Sequence, residues 1–345
     1  MSTLHRLVVL GFGFVLGCDD VAEALEAAQT PGEADGRAVK LAEGGNRFST
    51  VATDGQTLFI VQLNGEVYTH PVNGGSLTKL GDLKRVIDNY EERAVVDAES
   101  LWVVGPKGLF KMPKAGGDVV RLPVGIDSGR AKGIVQTQDF VFTVGEITEA
   151  GTSRENQVIK IDKKTLKAEP LGQKWQRVAS LAGDATNLYL TDINAGSVVK
   201  LPMDGSEFKV LASEMPHPDE IGVGADHVYW KNNVDLDRPM IGSKLSRIKK
   251  DGTGSLEVLW DGATTGPLYV DATYVWACAA SGVERLEVAK AHPPDATEPK
   301  SSKFLKMNCS DMVVLEDRVV AVEDNGNSLS EKGRSEPNRV LSATK

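Results

Sequence analysis

One short phrase returns seven times in this chain, and its spacing limits what the chain can fold into. It reads VATDGQTLFIV at 51–61, VVDAESLWVV at 95–104 and VQTQDFVFTV at 135–144, then GDATNLYLTD at 183–192. It recurs as VGADHVYWKN at 223–232, YVDATYVWAC at 269–278 and VLEDRVVAVED at 314–324. A single apolar position registers all seven: Leu58, Leu101, Val141, Leu188, Val228, Val275 and Val319. The successive gaps are 43, 40, 47, 40, 47 and 44 residues. A ruler this regular marks a repeat architecture, in which each unit is one supersecondary element that buries its apolar faces against its neighbours.

Each unit carries further strand-like pieces. A third segment alternates apolar and polar residues: VYTHP at 67–71, LFKMP at 109–113, VIKID at 158–162, VVKLP at 198–202, LSRIK at 245–249, VERLE at 283–287 and NRVLS at 338–342. A fourth follows in most units, as LTKL at 77–80, VVRL at 119–122, KVL at 209–211, LEVL at 256–259 and KFL at 303–305. Period-two alternation buries one face of a strand. The Asn-Gly-Gly, Ala-Gly-Gly, Asp-Gly-Ser and Asp-Gly-Thr breaks supply the positive φ that hairpin turns need. The chain's 35 glycines, about 10% of 345 residues, serve these turns, since no collagen-like period is present. Four-stranded antiparallel units of this length predict an all-β, seven-bladed β-propeller. The last unit ends at Lys345 after its third strand, while residues 37–42 match the fourth-strand pattern. The ring is therefore expected to close by pairing this N-terminal strand onto the last blade, removing an open sheet edge.

The phrases VYWKN at 228–232 and LYLTD at 188–192, with KLPMDG at 200–205, resemble YWTD-type propeller repeats, especially those of bacterial propeller lipoproteins. The resemblance covers about residues 37–345. It implies fold rather than function, because propellers serve many functions. The best-known YWTD proteins have six blades, so the count of seven departs from them and no binding site transfers.

The chain opens MSTLHRLVVLGFGFVLGCDD. One basic residue, an apolar run and Val15-Leu16-Gly17-Cys18 follow the order of a signal peptide. The cysteine after a small residue resembles the bacterial lipobox, which implies a signal peptide at 1–17 and lipid acylation of Cys18. Residues 18–36 are acidic and lack aromatics, as a solvated tether would. The propeller domain is expected over 37–345, in a cell envelope, facing periplasm or exterior. A net charge of −9 argues against nucleic acid as a partner.

In a four-strand meander A-B-C-D, the A–B and C–D turns share one face, and the B–C and D–A connections share the other. The A–B and C–D turns read as short and glycine-rich, whereas the B–C loops of blades three, five and seven are long, at about 145–156, 231–243 and 324–337. Long loops on a rigid scaffold carry function, so this face and its channel mouth are the expected binding region. Residues just before the inner strands supply the candidates: Arg47, Arg93, Lys132, Arg177, Glu220 and Asp311, with Tyr90, Trp175 and His217 nearby. The four basic residues form an arc that would attract an anionic group, unless each caps a strand or pairs with Glu91, Glu92 or Asp219.

Other constellations are thin. The five histidines never fall at zinc-ligand spacing, Asp235 and Asp237 lack a calcium-loop pattern, and no nucleophile elbow is present. Neither a cofactor nor a catalytic residue is expected. Cys278 and Cys309 form a disulfide or remain two buried thiols. The sequence points to a lipid-anchored module that binds a protein, peptide or glycan. The alternatives are a calcium-dependent, lactonase-like hydrolase and a scaffold in envelope assembly.

Overall fold

A computed structural model describes residues 38–44, 47–83, 92–105, 108–122, 124, 133–145, 156–233, 243–261, 264–279, 282–289, 302–323 and 338–345. The signal peptide, Cys18 and the tether lie outside them, as do Tyr90, Lys132 and most of the three long B–C connections.

β1 (Ala38–Gly44) comes first. Blade one is β2 (Phe48–Thr53), β3 (Thr57–Gln62), β4 (Glu66–Pro71) and β5 (Thr78–Asp82). Blade two is β6 (Arg93–Val96), β7 (Ser100–Gly105), β8 (Gly108–Pro113) and β9 (Val120–Leu122). Blade three is β10 (Ile134–Gln136), β11 (Phe140–Gly145), β12 (Asn156–Asp162) and β13 (Ala168–Trp175). Blade four is β14 (Val178–Gly183), β15 (Asn187–Asp192), β16 (Ser197–Pro202) and β17 (Lys209–Ala212). Blade five is β18 (Pro218–Val223), β19 (His227–Asn232), β20 (Lys244–Lys249) and β21 (Glu257–Asp261). Blade six is β22 (Thr264–Val270), β23 (Tyr274–Ala279), β24 (Gly282–Glu287) and β25 (Ser302–Leu305). Blade seven is β26 (Cys309–Val314), β27 (Arg318–Glu323) and β28 (Asn338–Thr344), completed by β1.

All seven sheets are antiparallel meanders of four strands, and the inner strands of successive blades touch around a closed ring. β1 pairs with β28 from Ala38 opposite Ala343 to Gly44 opposite Asn338, so the expected N-terminal closure is present. The second strand of a blade is buried on both faces, which is why it carries three or four consecutive apolar residues, as in Leu58–Val61, Leu188–Leu190 and Val228–Trp230. Seven apolar clusters fill the seven junctions, each drawing on two neighbouring blades. Trp102, Tyr189, Tyr229 and Trp276 lie in four of them, at most 1% exposed.

The A–B turn is stitched in the same way in every blade. The first residue past the third strand donates its N–H to an A–B turn carbonyl: Val72 to Gln56, Lys114 to Glu99, Lys163 to Asp139, Met203 to Thr186, Lys250 to Asp226, Val288 to Thr273 and Lys345 to Asp317, all at 2.7–3.0 Å. Between blades, Asp54, Asp97, Asp184 and Asp271 each pair with a lysine of the next blade, namely Lys114, Lys163, Lys250 and Lys345. One oxygen of each aspartate also accepts two turn N–H groups, as Asp97 does from Glu99 and Ser100. Cys278 in β23 and Cys309 in β26 are bonded across the blade six–seven junction, with Cα atoms 5.2 Å apart.

Candidate functional site

Inner strands begin at the D–A face and end at the A–B turns. Five of them start with a β-bulge, between Phe48 and Thr50, Val178 and Ser180, Pro218 and Ile221, Thr264 and Leu268, and Cys309 and Asp311. A bulge re-aims side chains. Here it separates the sequence candidates into two levels.

The outer level holds Arg47, Arg177 and His217. Their carbonyls accept the N–H of Leu63, Ile193 and Asn233, the residues just past the second strand of their own blades. Each sits 16 positions before its donor, so the three are register equivalents, and all are half-buried at the D–A/B–C face. His217 adopts φ +44°, and its Nδ1 is buried without a hydrogen-bond partner. Asp219, Lys231, Asn233 and Ser243 form a polar network on the same face of blade five.

The inner level holds Arg93, Glu220 and Asp311. Counting back four positions from the first A–B turn residue gives one equivalent per blade: Thr50, Arg93, Gly133, Ser180, Glu220, Pro267 and Asp311. Arg93 Nη2 lies 3.2 Å from Glu220 Oε1, with side chains 11% and 3% exposed. Blades two and five stand three steps apart in a ring of seven, as far apart as the ring allows. The pair therefore spans the channel axis. Ser180 Oγ lies 3.5 Å from Glu220 Oε2, and Arg93 Nη1 donates to the Glu92 carbonyl at 2.8 Å. Glu92 in turn accepts from Ser49 Oγ at 2.6 Å.

Asp311 is fully buried. Its Oδ2 accepts from Thr50 Oγ1 at 2.6 Å and from the Val51 N–H at 3.1 Å, while Oδ1 has no hydrogen-bond partner. Burial raises its carboxyl, and Arg93, Thr50 and the Val51 N–H work against that rise. Tyr269, two positions past Pro267 in blade six, is half-buried and lines the lumen. Burial pushes its hydroxyl well above the usual phenol range, the negative charge of Asp311 adds to this, and Arg93 opposes it. Six blades thus send polar groups to one buried hub.

The expected basic arc is accordingly not a free ring of positive charge: Arg93 is matched by Glu220 on the axis, and Arg47 and Arg177 stand three positions further out. Trp175 does not face the channel. It ends β13 in the blade three–four cluster, edge-on to Phe208 at 5.1 Å. Sequence reading missed Thr50, Ser180 and Tyr269, and it named Glu92 only as a partner for the arginines. The usable signal was the fixed count back from the A–B turn, which the bulges hide from simple alternation.

Below the hub, a cavity of about 440 Å3 follows the axis, walled by all seven inner strands. Among the described residues no group of three His, Cys, Asp or Glu side chains is placed to hold a metal ion, and no helix is long and apolar enough to cross a membrane.

Solved structures share this architecture. The streptogramin B lyase structure superposes with a TM-score of 0.61 at 12% identity, over 89% of this chain and 97% of that one. The RRP9 WD40 repeats give 0.63 at 10%, over 91% and 99%. BamB from Moraxella catarrhalis gives 0.51 at 14%, over 85% of each. What they share with this chain is the propeller fold. No family model matches the chain, and no curated protein matches it by sequence.

Proposed function

We propose that this chain is a lipid-anchored, extracytoplasmic propeller, held at the membrane through Cys18, that binds a protein, peptide or glycan partner through its D–A/B–C face. The supporting observation is the asymmetry of the two faces. All seven A–B turns are short and pinned by the same backbone bond to the residue that follows the third strand, and the one long connection on that face is the C–D segment of blade six, where 14 residues separate β24 from β25. On the opposite face, 10 residues separate β11 from β12, 11 separate β19 from β20, and 14 separate β27 from β28. Arg47, Arg177 and His217 are half-buried on that longer-looped face, and a partner surface needs side chains of this kind on a rigid frame. The lipobox-like Val15-Leu16-Gly17-Cys18 and the acidic segment after it supply the anchor and the tether.

Two variants test the halves of this reading separately. Cys18→Ser is expected to move the protein from the membrane fraction to the soluble fraction and to abolish fatty-acid labelling. Unchanged labelling overturns the anchor. Replacing 146–155 and 325–336 with short Gly-Ser links is expected to leave the thermal midpoint near that of the parent and to abolish recovery of the crosslinked partner. Undiminished crosslinking by this folded variant overturns the choice of face.

A further inference from the structure

The N-terminal strand joins the ring with a fixed polarity. β28 runs from Asn338, just past the long B–C connection of blade seven, to Thr344. The N–H of the next residue, Lys345, binds the Asp317 carbonyl in the A–B turn. β1 is antiparallel to β28, with Ala38 opposite Ala343 and Gly44 opposite Asn338. Ala38 therefore lies at the A–B/C–D end of the outermost strand of blade seven, and Gly44 lies at the D–A/B–C end. The chain that precedes Ala38 leaves from the face opposite to the proposed partner face.

Length and charge turn this polarity into an orientation. Strands of six or seven residues, at about 3.3 Å each, set the two faces about 20 Å apart. Residues 19–36 hold six acidic side chains and no basic one. Like charges along a segment repel one another and lengthen it. Beyond about 8 Å from the lipid surface, salt screens the membrane's own field. What then orients the body is the point at which the chain joins it.

We propose that the propeller is held from Cys18 with its A–B/C–D face toward the membrane and its D–A/B–C face outward, so that its partner's contact region lies in the aqueous compartment, at least about 20 Å from the bilayer. This rests on the anchor and the partner face proposed above and adds their relative placement. A partner surface at the level of the bilayer needs the propeller inverted.

Energy transfer from single labelled positions to the membrane tests this. Gln56 and Ala98 lie in A–B turns, Asn194 in a B–C turn and Lys306 in a D–A connection, and all four are exposed. The lipidated protein, carrying Gln56→Cys, Ala98→Cys, Asn194→Cys or Lys306→Cys with a donor dye, is placed on phosphatidylcholine vesicles that contain a headgroup-labelled acceptor lipid. Donors at 56 and 98 are expected to lie nearer the membrane than donors at 194 and 306, by up to about 20 Å. Deleting 21–36 leaves three residues between Cys18 and Ala38. Their reach of about 14 Å is shorter than the body is tall, so the shortened protein is unable to invert. It is expected to melt with the parent, to widen the difference between the two pairs of donors and to keep its crosslinked partner in cells. If the parent takes no lipid and stays off the vesicles, the anchor falls and this inference with it. A lipidated, vesicle-bound parent in which 194 and 306 lie as near as 56 and 98, or nearer, overturns the orientation alone. Loss of the crosslinked partner by a lipidated, folded deletion variant overturns the outward placement of the partner. If the deletion variant is not lipidated or does not fold, the distances in the parent decide.

Discussion

Asp184 gathers four residues at once. Its Oδ1 takes the N–H groups of Thr186 and Asn187, and its Oδ2 takes the Tyr189 hydroxyl and Lys250 of the next blade. The same set recurs at Asp97 and Asp271, with Trp102 and Trp276 in place of the tyrosine, and Asp54 keeps the turn amides and the lysine without an aromatic donor, because Phe59 stands there. At the other three, Thr137, Gly224 and Leu315 replace the aspartate, and the facing residue is apolar: Met203, Val288 and Val72. Aspartate never faces an apolar partner, and lysine never faces anything but aspartate. Lys250→Met alone should therefore leave a carboxylate unmatched and cost about 1–2 kcal/mol in urea unfolding. Adding Asp184→Thr, which copies the blade three–four junction, should recover at least half of that loss. A double variant no more stable than the single one contradicts the pairing rule. The same carboxylates set an acid response. Burial alone would raise Asp97 and Asp271, but their lysines, turn amides and tryptophan indoles outweigh it and hold both at about 2. A folded-state value below the unfolded one of about 3.9 means stabilisation that is present above that value and lost as pH falls through about 2. Denaturant midpoints should drop between about pH 4 and pH 2, and the Asp97→Asn, Asp271→Asn variant should drop less over that window.

Among the strands, β1 decides whether the ring is closed. It lies 38–44 in a chain whose other blade-seven strands begin at Cys309, and its pairing with β28 is the backbone ladder that joins the two ends, beside the packing of blade one on blade seven. Deleting 38–44 exposes the β28 edge, an open template for pairing with another chain. The expected outcome is loss of the monomer peak on size exclusion and a lower thermal midpoint. A stable monomer of unchanged midpoint contradicts closure by β1. This strand was legible in advance, two residues short at its C-terminal end, because the last unit visibly lacked a fourth strand. β13 was not. Its sequence AEPLGQKW contains both proline and glycine and does not alternate, and its place is fixed by pairing with β12. The inner-strand bulges were hidden for a related reason. Each inserts residues between ladder positions, so Glu220 and Asp311 reach the axis at a register that period-two reading does not give. The aspartate–lysine pairs were also invisible, since their members lie 60 to 74 residues apart.

At the scale of the molecule, the ring has two unlike ends. One has seven short A–B turns, each pinned by the same backbone bond, a rim of carboxylates and one long C–D connection, 288–301 in blade six. The other carries the three long B–C connections and the half-buried Arg47, Arg177 and His217, and the Arg93–Glu220 pair closes the lumen between the two ends. The repeat count and the division into faces followed from the sequence, because seven registered phrases and the turn lengths require them. The hub did not, because it is assembled from six blades by closing the ring. The most direct measurement of the account is photo-crosslinking in intact cells from single benzoylphenylalanine positions on each face. Positions 47, 177 and 217 represent the D–A/B–C face, and positions 55, 74 and 253 represent the opposite one. A common adduct from the first set and none from the second is the predicted result; adducts confined to positions 55, 74 and 253 contradict it.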